Sequence, residues 1–304
     1  MNGVLIIDKP AGLTSHDVVN RVRRILGQRS VGHLGTLDPL ATGVLPLVTG
    51  SLTRLAQFYT TSEKVYEGVV RFGFATDTYD AEGEPLGPAR SVTLDAQRIE
   101  ALAGRFRGVI EQMPPPFSAK KIHGVPAYKL ARKQKEVVLK PVKVEIKEFE
   151  VLHVSNDRAK FRARVASGTY MRSLAHDMGQ QLGCGAHLES LRRTAVAEFE
   201  IADAHTLDQL TDAARKPEIE DLFVHPRKLL PQMPSVTADE DNAARIRSGR
   251  PVNLPELSRA RQVKVFYGQR ELIAIATRVA GTLFHPKIVL VADSAAQVAN
   301  GSRS

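Results

Sequence analysis

The chain has 304 residues, of which 43% are hydrophobic and 25% charged, and its formal net charge is +9. This is the composition of an ordinary soluble globular protein, and the length predicts one large and one small domain. The single cysteine, Cys184, excludes an intramolecular disulfide and a thiolate-rich structural zinc site. The sequence contains no membrane-length apolar run and no recognisable secretory signal at its start, so we expect a cytoplasmic protein.

The positive charge is concentrated in residues 119–147, where nine Lys or Arg residues stand against two Glu. Such a stripe binds phosphates mainly by releasing counterions, so it favours nucleic acid as the partner. A membrane surface is less favoured because the stripe is not joined to an amphipathic anchor. A solvated basic face without a partner is the alternative.

In the N-terminal half, apolar runs and helical spacing predict short strands alternating with helices. Strands are predicted over 4–8, 44–48 and 65–74, and helices over 14–26, 52–59 and 94–106. Thr14 or Ser15 is expected to cap the first helix, and Gly27 to end it.

In the second half, strands are predicted over 142–154, 160–166 and 188–201, with a helix over 170–182. Because strands outnumber helices without regular alternation, we predict an α+β fold with a mainly antiparallel sheet. A connector with four prolines over 216–234 separates a domain over 1–215 from one over 235–304. Short strands over 262–266, 271–277 and 287–291 make the second domain β-rich.

The loop over residues 32–43 sets one acid, Asp38, among glycines and apolar residues. Its glycines permit tight turns and close approach of the backbone to a ligand, and Pro39 restricts the conformation of Asp38. A loop this stiff would hold the carboxylate at one defined place. From composition alone, an ordinary Asp-Pro turn explains the pattern equally well.

The loop reads GHLGTLDPLATG and resembles the signature of the TruB family of bacterial tRNA pseudouridine-55 synthases, with Leu34 where the family has Thr. Further blocks that are similar to the family lie at residues 64–66, 76–83, 167–174, 183–188 and 191–194. The block over 167–174 lacks one lysine of the family pattern. The order and spacing of these blocks are maintained over about two thirds of the chain.

The resemblance implies the pseudouridine synthase fold, a mainly antiparallel mixed sheet flanked by helices, with a C-terminal PUA-like RNA-binding domain. It makes residues 119–147 a thumb-like insert and the T arm of tRNA the partner. The implied reaction isomerises the uridine at position 55 to pseudouridine, needs no cofactor or metal, and is expected of a monomer.

The resemblance assigns the chemistry to Asp38, Arg172 and Tyr66. Asp38 is the nucleophile, which either attacks ribose C1′ or helps to abstract a 2′ proton, and the sequence leaves both routes open. We expect the acid to be buried in a water-poor pocket, where desolvation penalises its ionised form. Arg172 is expected to oppose that penalty through a bidentate pair, and Tyr66 to stack on the base and help move its proton.

Four further residues are implied to bind the substrate. His33 stacks where the extruded nucleotide was, Leu191 closes the pocket, Asp80 lies near the base edge, and Lys121 contacts backbone phosphate. Without the matched blocks, each would more simply be a residue of the core, a turn or a solvated surface.

Two other classes of protein compete with the isomerase. One is a non-catalytic tRNA-binding or tRNA-folding protein of the same architecture, against which the intact set of Asp38, Tyr66 and Arg172 argues. The other is a phosphate-handling hydrolase that uses Asp38 with His33. The sequence lacks the glycine-rich phosphate loop and the metal-ligand pattern that such a hydrolase needs.

Overall fold

The structure is a computed structural model that describes residues 1–116, 121–122, 125–126, 140–256 and 258–290. Its larger sheet is built from these strands: β1 (Gly3–Lys9), β2 (Val31–His33), β3 (Thr42–Thr49), β4 (Lys64–Phe72), β5 (Gly108–Gln112), β8 (Val142–Ser155), β9 (Arg158–Val165), β10 (Ala186–Val196) and β11 (Phe199–Glu200). Between β5 and β8, the strands β6 (Lys121–Ile122) and β7 (Val125–Pro126) pair with each other.

The strand order is β1-β3-β10-β4-β9-β8-β5, with β2 on β3 and β11 on β10. Every neighbouring pair in this order is antiparallel except β3 and β10, which run parallel. The α+β class and the mainly antiparallel mixed sheet are therefore confirmed.

Four helices accompany the large sheet in the described residues: α1 (Ser15–Leu26), α2 (Ala96–Gly104), α3 (Met171–Leu182) and α4 (Leu207–Ala213). Thr14 caps α1 through a reciprocal capping box with Asp17, and Gly27 ends the helix in the left-handed conformation. The first helix therefore begins and ends where its sequence predicts.

The central strands bury both of their faces, because successive side chains of a strand point to opposite sides. In β1, Leu5 and Ile7 pack in a core shared with the helices, whereas Val4 and Ile6 belong to a second cluster. That second cluster includes Phe266 and Ile288 of the C-terminal domain. The two domains therefore share this second cluster, while the C-terminal domain also has an apolar cluster of its own, and the large sheet lies between the helices and the smaller domain.

The C-terminal domain contains α5 (Glu240–Arg247) and a second sheet made of β12 (Ser235–Ala238), β13 (Val252–Asn253), β14 (Gln262–Tyr267), β15 (Glu271–Ala280) and β16 (Leu283–Val289). Its strand order is β12-β14-β15-β16-β13, and β12 and β14 are parallel. A small β-rich domain is confirmed.

Three element predictions differ from the structure in detail. The strand predicted over 287–291 begins four residues earlier and is Leu283–Val289. The helix predicted over 52–59 is a 3-10 helix, Gly50–Phe58, and the strand predicted over 188–201 divides into β10 and β11. The division occurs at Ala197, whose φ of 50° turns the chain back so that β11 pairs with β10. Among the described residues, no helix combines the length and the apolar character that crossing a bilayer requires.

Candidate active site

The loop that carries Asp38 is fastened to the sheet by a buried lysine. Lys9, at the end of β1, is fully buried, and its Nζ donates to the carbonyls of Pro10, Leu13 and Pro39, the last at 3.2 Å. Burial lowers the pKa of Lys9 to about 8, and the negative charge of Asp38 opposes that shift. The ammonium thus lies close to Asp38 and holds the carbonyl of the residue that follows it.

A buried arginine holds the other side of the same loop. The Arg193 guanidinium is fully buried and donates to the carbonyls of Gly35, Thr36 and Val44 at 2.8–3.2 Å. Gly43 permits this close packing, because a Cβ there would lie 2.2 Å from the Arg193 carbonyl oxygen. A single side chain on β10 therefore fixes the backbone before and after Asp38.

Arg172 faces Asp38 from the first turn of α3. Its Nε lies 3.0 Å from Asp38 Oδ2, and its side chain is only 10% exposed. Gln112 on β5 holds the start of this helix, because its side chain donates to the Tyr170 carbonyl at 2.9 Å and accepts from the Tyr170 amide at 2.8 Å. The guanidinium is therefore presented from a firmly positioned helix end.

Asp38 itself is less enclosed than the sequence suggests. Its side chain is 44% exposed in the protein alone, so the expectation of a buried acid is wrong for this state. The loop points the carboxylate across an open cavity, where a ligand would complete its enclosure.

Asp80 lies behind the arginine. It is 4% exposed, its Oδ2 is 3.4 Å from Arg172 Nη1, and its Oδ1 accepts from the Thr78 hydroxyl at 2.6 Å. Arg172 Nη1 also donates to the Thr78 carbonyl at 3.2 Å. Arg172 thus contacts two carboxylates, those of Asp38 and Asp80. The prediction placed Asp80 near the base edge and did not include its contact with Arg172.

The cavity between Asp38 and Arg172 has a volume of about 160 Å³. Its wall is completed by the following residues: Thr36, Leu37, Ala41, Tyr66, Thr169, Tyr170, Met171 and Leu191. Tyr66 and Leu191 lie on the neighbouring strands β4 and β10 and are both buried. Asp38, Arg172, Tyr66 and Leu191, which are far apart in sequence, therefore meet at one cavity.

Basic side chains of Arg193 and Lys64 lie close to Gly35 of the Asp38 loop. Burial and the Arg193 charge lower the pKa of Lys64 to about 8. Burial, Arg193 and His16 lower the pKa of His33, which favours its neutral imidazole. Burial and the charges of Asp80 and Asp38 raise the pKa of Glu82. Basic and acidic groups therefore both lie close to the Asp38 loop.

Among the predicted site residues whose side chains are described, His33 and Asp80 do not line this cavity. His33 ends β2, and its Nδ1 accepts from the Gly35 amide at 3.3 Å, so it belongs to the same loop outside the cavity. Lys121 lies on β6, and its side chain is outside the described residues, as is most of the stretch over 119–147. Leu34 is 5% exposed and packs in the second core cluster.

Lys9 and Arg193 are the functional residues that sequence reasoning missed. A signal for Arg193 was present, because Arg192 and Arg193 are adjacent in a strand and must point to opposite faces. Arg192 indeed pairs with Asp8 at the surface at 2.8 Å, while Arg193 points inward. No group of three or more His, Cys, Asp or Glu side chains in the described residues is arranged to hold a metal ion.

Two family models match consecutive parts of the chain. The model described as TruB family pseudouridylate synthase (N terminal domain) matches residues 23–171, and the model described as tRNA pseudouridylate synthase B C-terminal domain matches residues 172–230. Together they include Asp38, Tyr66, Arg172 and Leu191, whereas the β-rich domain after the connector lies beyond both.

Curated relatives carry the same description over nearly the whole chain. The tRNA pseudouridine synthase B of Solibacter usitatus is 52% identical over 294 residues, which is 95% of this chain and 100% of that protein. The protein of the same name from Aquifex aeolicus is 39% identical over 96% of this chain and 100% of its own.

Solved structures share the fold. A chain in the crystal structure of a Cbf5-Nop10-Gar1 complex superimposes with a TM-score of 0.70 at 26% identity, covering 95% of this chain and 85% of its own. A chain in a structure of an H/ACA RNP bound to a substrate RNA containing 2′-deoxyuridine has a TM-score of 0.71 at 23% identity, covering 96% and 86%.

Proposed function

This chain belongs to the TruB family of pseudouridylate synthases, and we propose that it converts the uridine at position 55 in the T loop of tRNA to pseudouridine. The family makes the protein a tRNA pseudouridine synthase, an isomerase that acts on RNA. The single observation that carries the finer proposal is the Asp38–Arg172 pair, 3.0 Å apart across a cavity lined by Tyr66.

The size of the cavity supports a single-ring base as the group that enters it. Cavities of about 150 Å³ hold one benzene-sized ring, and the cavity here measures about 160 Å³. Tyr66 and Leu191 supply flat and apolar surface, while Asp38 and Arg172 supply charge at one rim. A uracil ring fits this combination better than a purine or a whole nucleoside does.

A uridine in a folded loop reaches such a cavity only after leaving its stack, so we propose that the enzyme extrudes the nucleotide. Extrusion also completes the enclosure of Asp38, because the sugar would cover the exposed face of the carboxylate. His33, outside the cavity and largely neutral, is suited to stack in the space that the nucleotide leaves.

In the proposed reaction the N–C glycosidic bond breaks, the uracil turns, and a C–C bond forms to the same ribose. Asp38 acts either by attacking C1′ or by taking the 2′ proton, and Arg172 holds the carboxylate in place. Tyr66 is positioned to stack on the ring and to assist proton movement at carbon. Atoms balance within one uridine, so the step needs no second substrate.

The rest of the molecule is proposed to recognise the T arm by its shape and phosphates. The described part of the C-terminal domain contains an open cavity of about 480 Å³ lined by Arg261, His285 and Lys287, with no acidic residue in its wall. We assign this basic cavity to a phosphate of the tRNA. It supports an RNA-binding, PUA-like role for residues 235–304, with residues 119–147 as the thumb-like insert.

The proposal is tested by incubating the purified protein with an unmodified tRNA transcript. The buffer contains EDTA and no added nucleotides. Pseudouridine at position 55 alone is the expected product, mapped by chemical labelling and primer extension. Modification at other uridines would contradict the substrate assignment. Tight binding without modification would favour the non-catalytic tRNA-folding protein instead. We expect size-exclusion chromatography to give a monomer.

A further inference from the structure

Tyr79 has an unusual backbone conformation beside the site. Its φ is 66°, in the left-handed region that a bulky residue rarely adopts. A conformation of this kind persists only where neighbouring contacts hold it, and such residues cluster at functional sites. The neighbouring residues, Thr78 and Asp80, are both acceptors for Arg172. The strained residue therefore lies between two contacts that hold the arginine.

The Tyr79 side chain is held by the helix that carries Arg172. Its ring stacks on the His176 imidazole with the centroids 3.8 Å apart and the planes inclined by 13°. Arg172 and His176 are four residues apart in α3 and so share one face of the helix. The segment over 78–80 lies across this face and contacts it at two points, the guanidinium and the imidazole.

His176 serves in this contact as a flat ring. Burial lowers its pKa, so the imidazole is neutral at physiological pH. Its Nδ1 is buried without a hydrogen-bond partner among the described residues, and its Nε2 lies 3.4 Å from the Gln180 amide nitrogen. The imidazole therefore contacts Tyr79 mainly by ring stacking.

The other side of the segment is tied to the sheet. The Tyr79 carbonyl accepts from the Leu188 amide at 3.0 Å, and the Ala81 amide donates to the Leu188 carbonyl at 3.0 Å. The segment is thus held between β10 and α3, and the ring stack determines how it lies on the helix. Loss of the stack would release the segment from the helix and let the Thr78 and Asp80 acceptors move away from Arg172, whether or not residue 79 stays in the left-handed region.

We propose that Tyr79 and His176 form an aromatic clamp that positions Arg172 for its contact with Asp38. The two rings are positioning residues and do not touch the substrate. The kinetic test of this inference rests on the proposed function, in which Arg172 holds the Asp38 carboxylate. The inference concerns two residues, Tyr79 and His176, to which the resemblance assigns no role.

Four single variants separate the clamp from other roles. Tyr79→Gly accepts the backbone conformation but loses the ring, and His176→Ala removes the ring on the helix. Tyr79→Phe and His176→Phe retain both rings. Gln181→Ala, at an exposed position of the same helix, is the matched control.

For pseudouridine formation we expect Tyr79→Gly and His176→Ala to lower kcat by roughly tenfold with KM within about twofold. The two Phe variants and the control should keep the wild-type kcat. The double variant Tyr79→Gly/His176→Ala should be no slower than either single one, because the two rings act as one unit.

A rise in KM at constant kcat would overturn the clamp and indicate that the rings form a platform for an RNA base. Equal losses in the Phe and Gly variants would overturn it as well. A measurement that needs no turnover separates the clamp from the proposed function: the ¹⁵N NMR signal of Arg172 Nε–H, assigned through Arg172→Lys. Slow hydrogen exchange that becomes fast in His176→Ala supports the clamp, and unchanged exchange contradicts it.

Discussion

The two walls of the catalytic cavity are held by different kinds of contact. The acid wall, residues 35–44, is fixed by Lys9 and Arg193, which are buried cations that donate to backbone carbonyls. The arginine wall, residues 76–83 and 170–176, combines backbone contacts to Gln112 and Leu188 with contacts between side chains, namely a carboxylate and a ring stack. The contacts that fix the acid wall do not depend on which side chains the loop carries, whereas part of those that hold the arginine wall do.

We infer from this contrast that the Asp38 side of the cavity tolerates changes of its own side chains better than the Arg172 side does. Asp38 is 44% exposed on a loop that is held through its carbonyls, whereas Arg172 is 10% exposed and contacts the side chain of Asp80. The proposed reaction would therefore combine an acid on a loop fixed by its backbone with a cation whose placement is set partly by neighbouring side chains.

Removing the anchor of the acid wall should have the largest effect. Arg193→Met leaves the carbonyls of Gly35, Thr36 and Val44 without their buried donors, which costs about 3 kcal/mol in stability and displaces Asp38. We expect kcat to fall more than about 100-fold. Thermal unfolding and steady-state kinetics measure both effects, and Arg162→Met, at an exposed position of β9, is the matched control.

If Arg193→Met retains wild-type kcat at a temperature where it is folded, the acid wall does not depend on this side chain. Arg193→Lys refines the result. Arg193→Lys keeps the positive charge, but an ammonium group cannot donate to all three carbonyls as the planar guanidinium does. Its kcat should therefore lie between those of the wild type and Arg193→Met.

Removing the Tyr66 hydroxyl should separate stacking from proton transfer. Tyr66→Phe keeps the ring in the cavity wall, so tRNA binding should be unchanged, while kcat falls about 100-fold if the hydroxyl moves a proton. Filter-binding and single-turnover assays provide the two numbers. A variant that turns over like the wild type would limit Tyr66 to stacking.

Neutralising the basic cavity of the C-terminal domain should weaken binding without affecting chemistry. Arg261→Gln/Lys287→Gln removes two cations from the cavity wall, so the slope of log Kd against log salt should fall by about 2. The rate of the bound complex should remain that of the wild type. Lys160→Gln, which removes a β9 lysine paired with Glu67, is the control. An unchanged slope would mean that no phosphate binds in this cavity.

The smallest effect is a pH-dependent change of stability at Asp177, next to the clamp. Burial raises the pKa of Asp177 to about 6, above its value in the unfolded chain. The folded state therefore binds the proton more tightly than the unfolded chain does. As the pH rises from 3.8 through 6, the proton is released and the free energy of unfolding falls. Asp177→Asn should stabilise the protein at pH 7 by about 1 kcal/mol after allowance for partial exposure.

Urea unfolding of both proteins across this pH range checks the sign. The advantage of Asp177→Asn should shrink as the pH falls through 6 and disappear below 3.8, where the wild-type carboxyl is neutral in both states. A constant difference at every pH would show that the substitution acts through packing or hydrogen bonding.

Local sequence features predicted α1, α3 and most strands because caps and periodic apolar residues act over a few positions. The matched blocks also predicted which side chains meet, since Asp38, Tyr66, Arg172 and Leu191 line one cavity. The exposure of Asp38 was not predictable from the sequence. It depends on how much of the carboxylate is covered by residues of the opposite cavity wall, which are distant in sequence. The anchoring by Arg193 depends on a strand pairing some 150 residues away in sequence.

Features without local periodicity were missed for the same physical reason. The strand Val31–His33 is too short to show alternation, and it exists because β3 offers it an edge. The left-handed Tyr79 follows no turn pattern of Gly or Asn and is held by a ring from another element. Long-range contacts override local propensity at both places.

Asp38→Asn in a single-turnover assay with excess enzyme decides whether an ionised acid at this position drives the reaction. The substitution preserves size while removing the charge that faces Arg172. We expect pseudouridine formation at position 55 to slow by at least about 10⁴-fold, roughly 5.5 kcal/mol, while Kd for tRNA changes less than about tenfold. Asp208→Asn, at an exposed position of α4, should match the wild type. An Asp38→Asn enzyme that keeps a few per cent or more of the wild-type rate would contradict the assignment of Asp38.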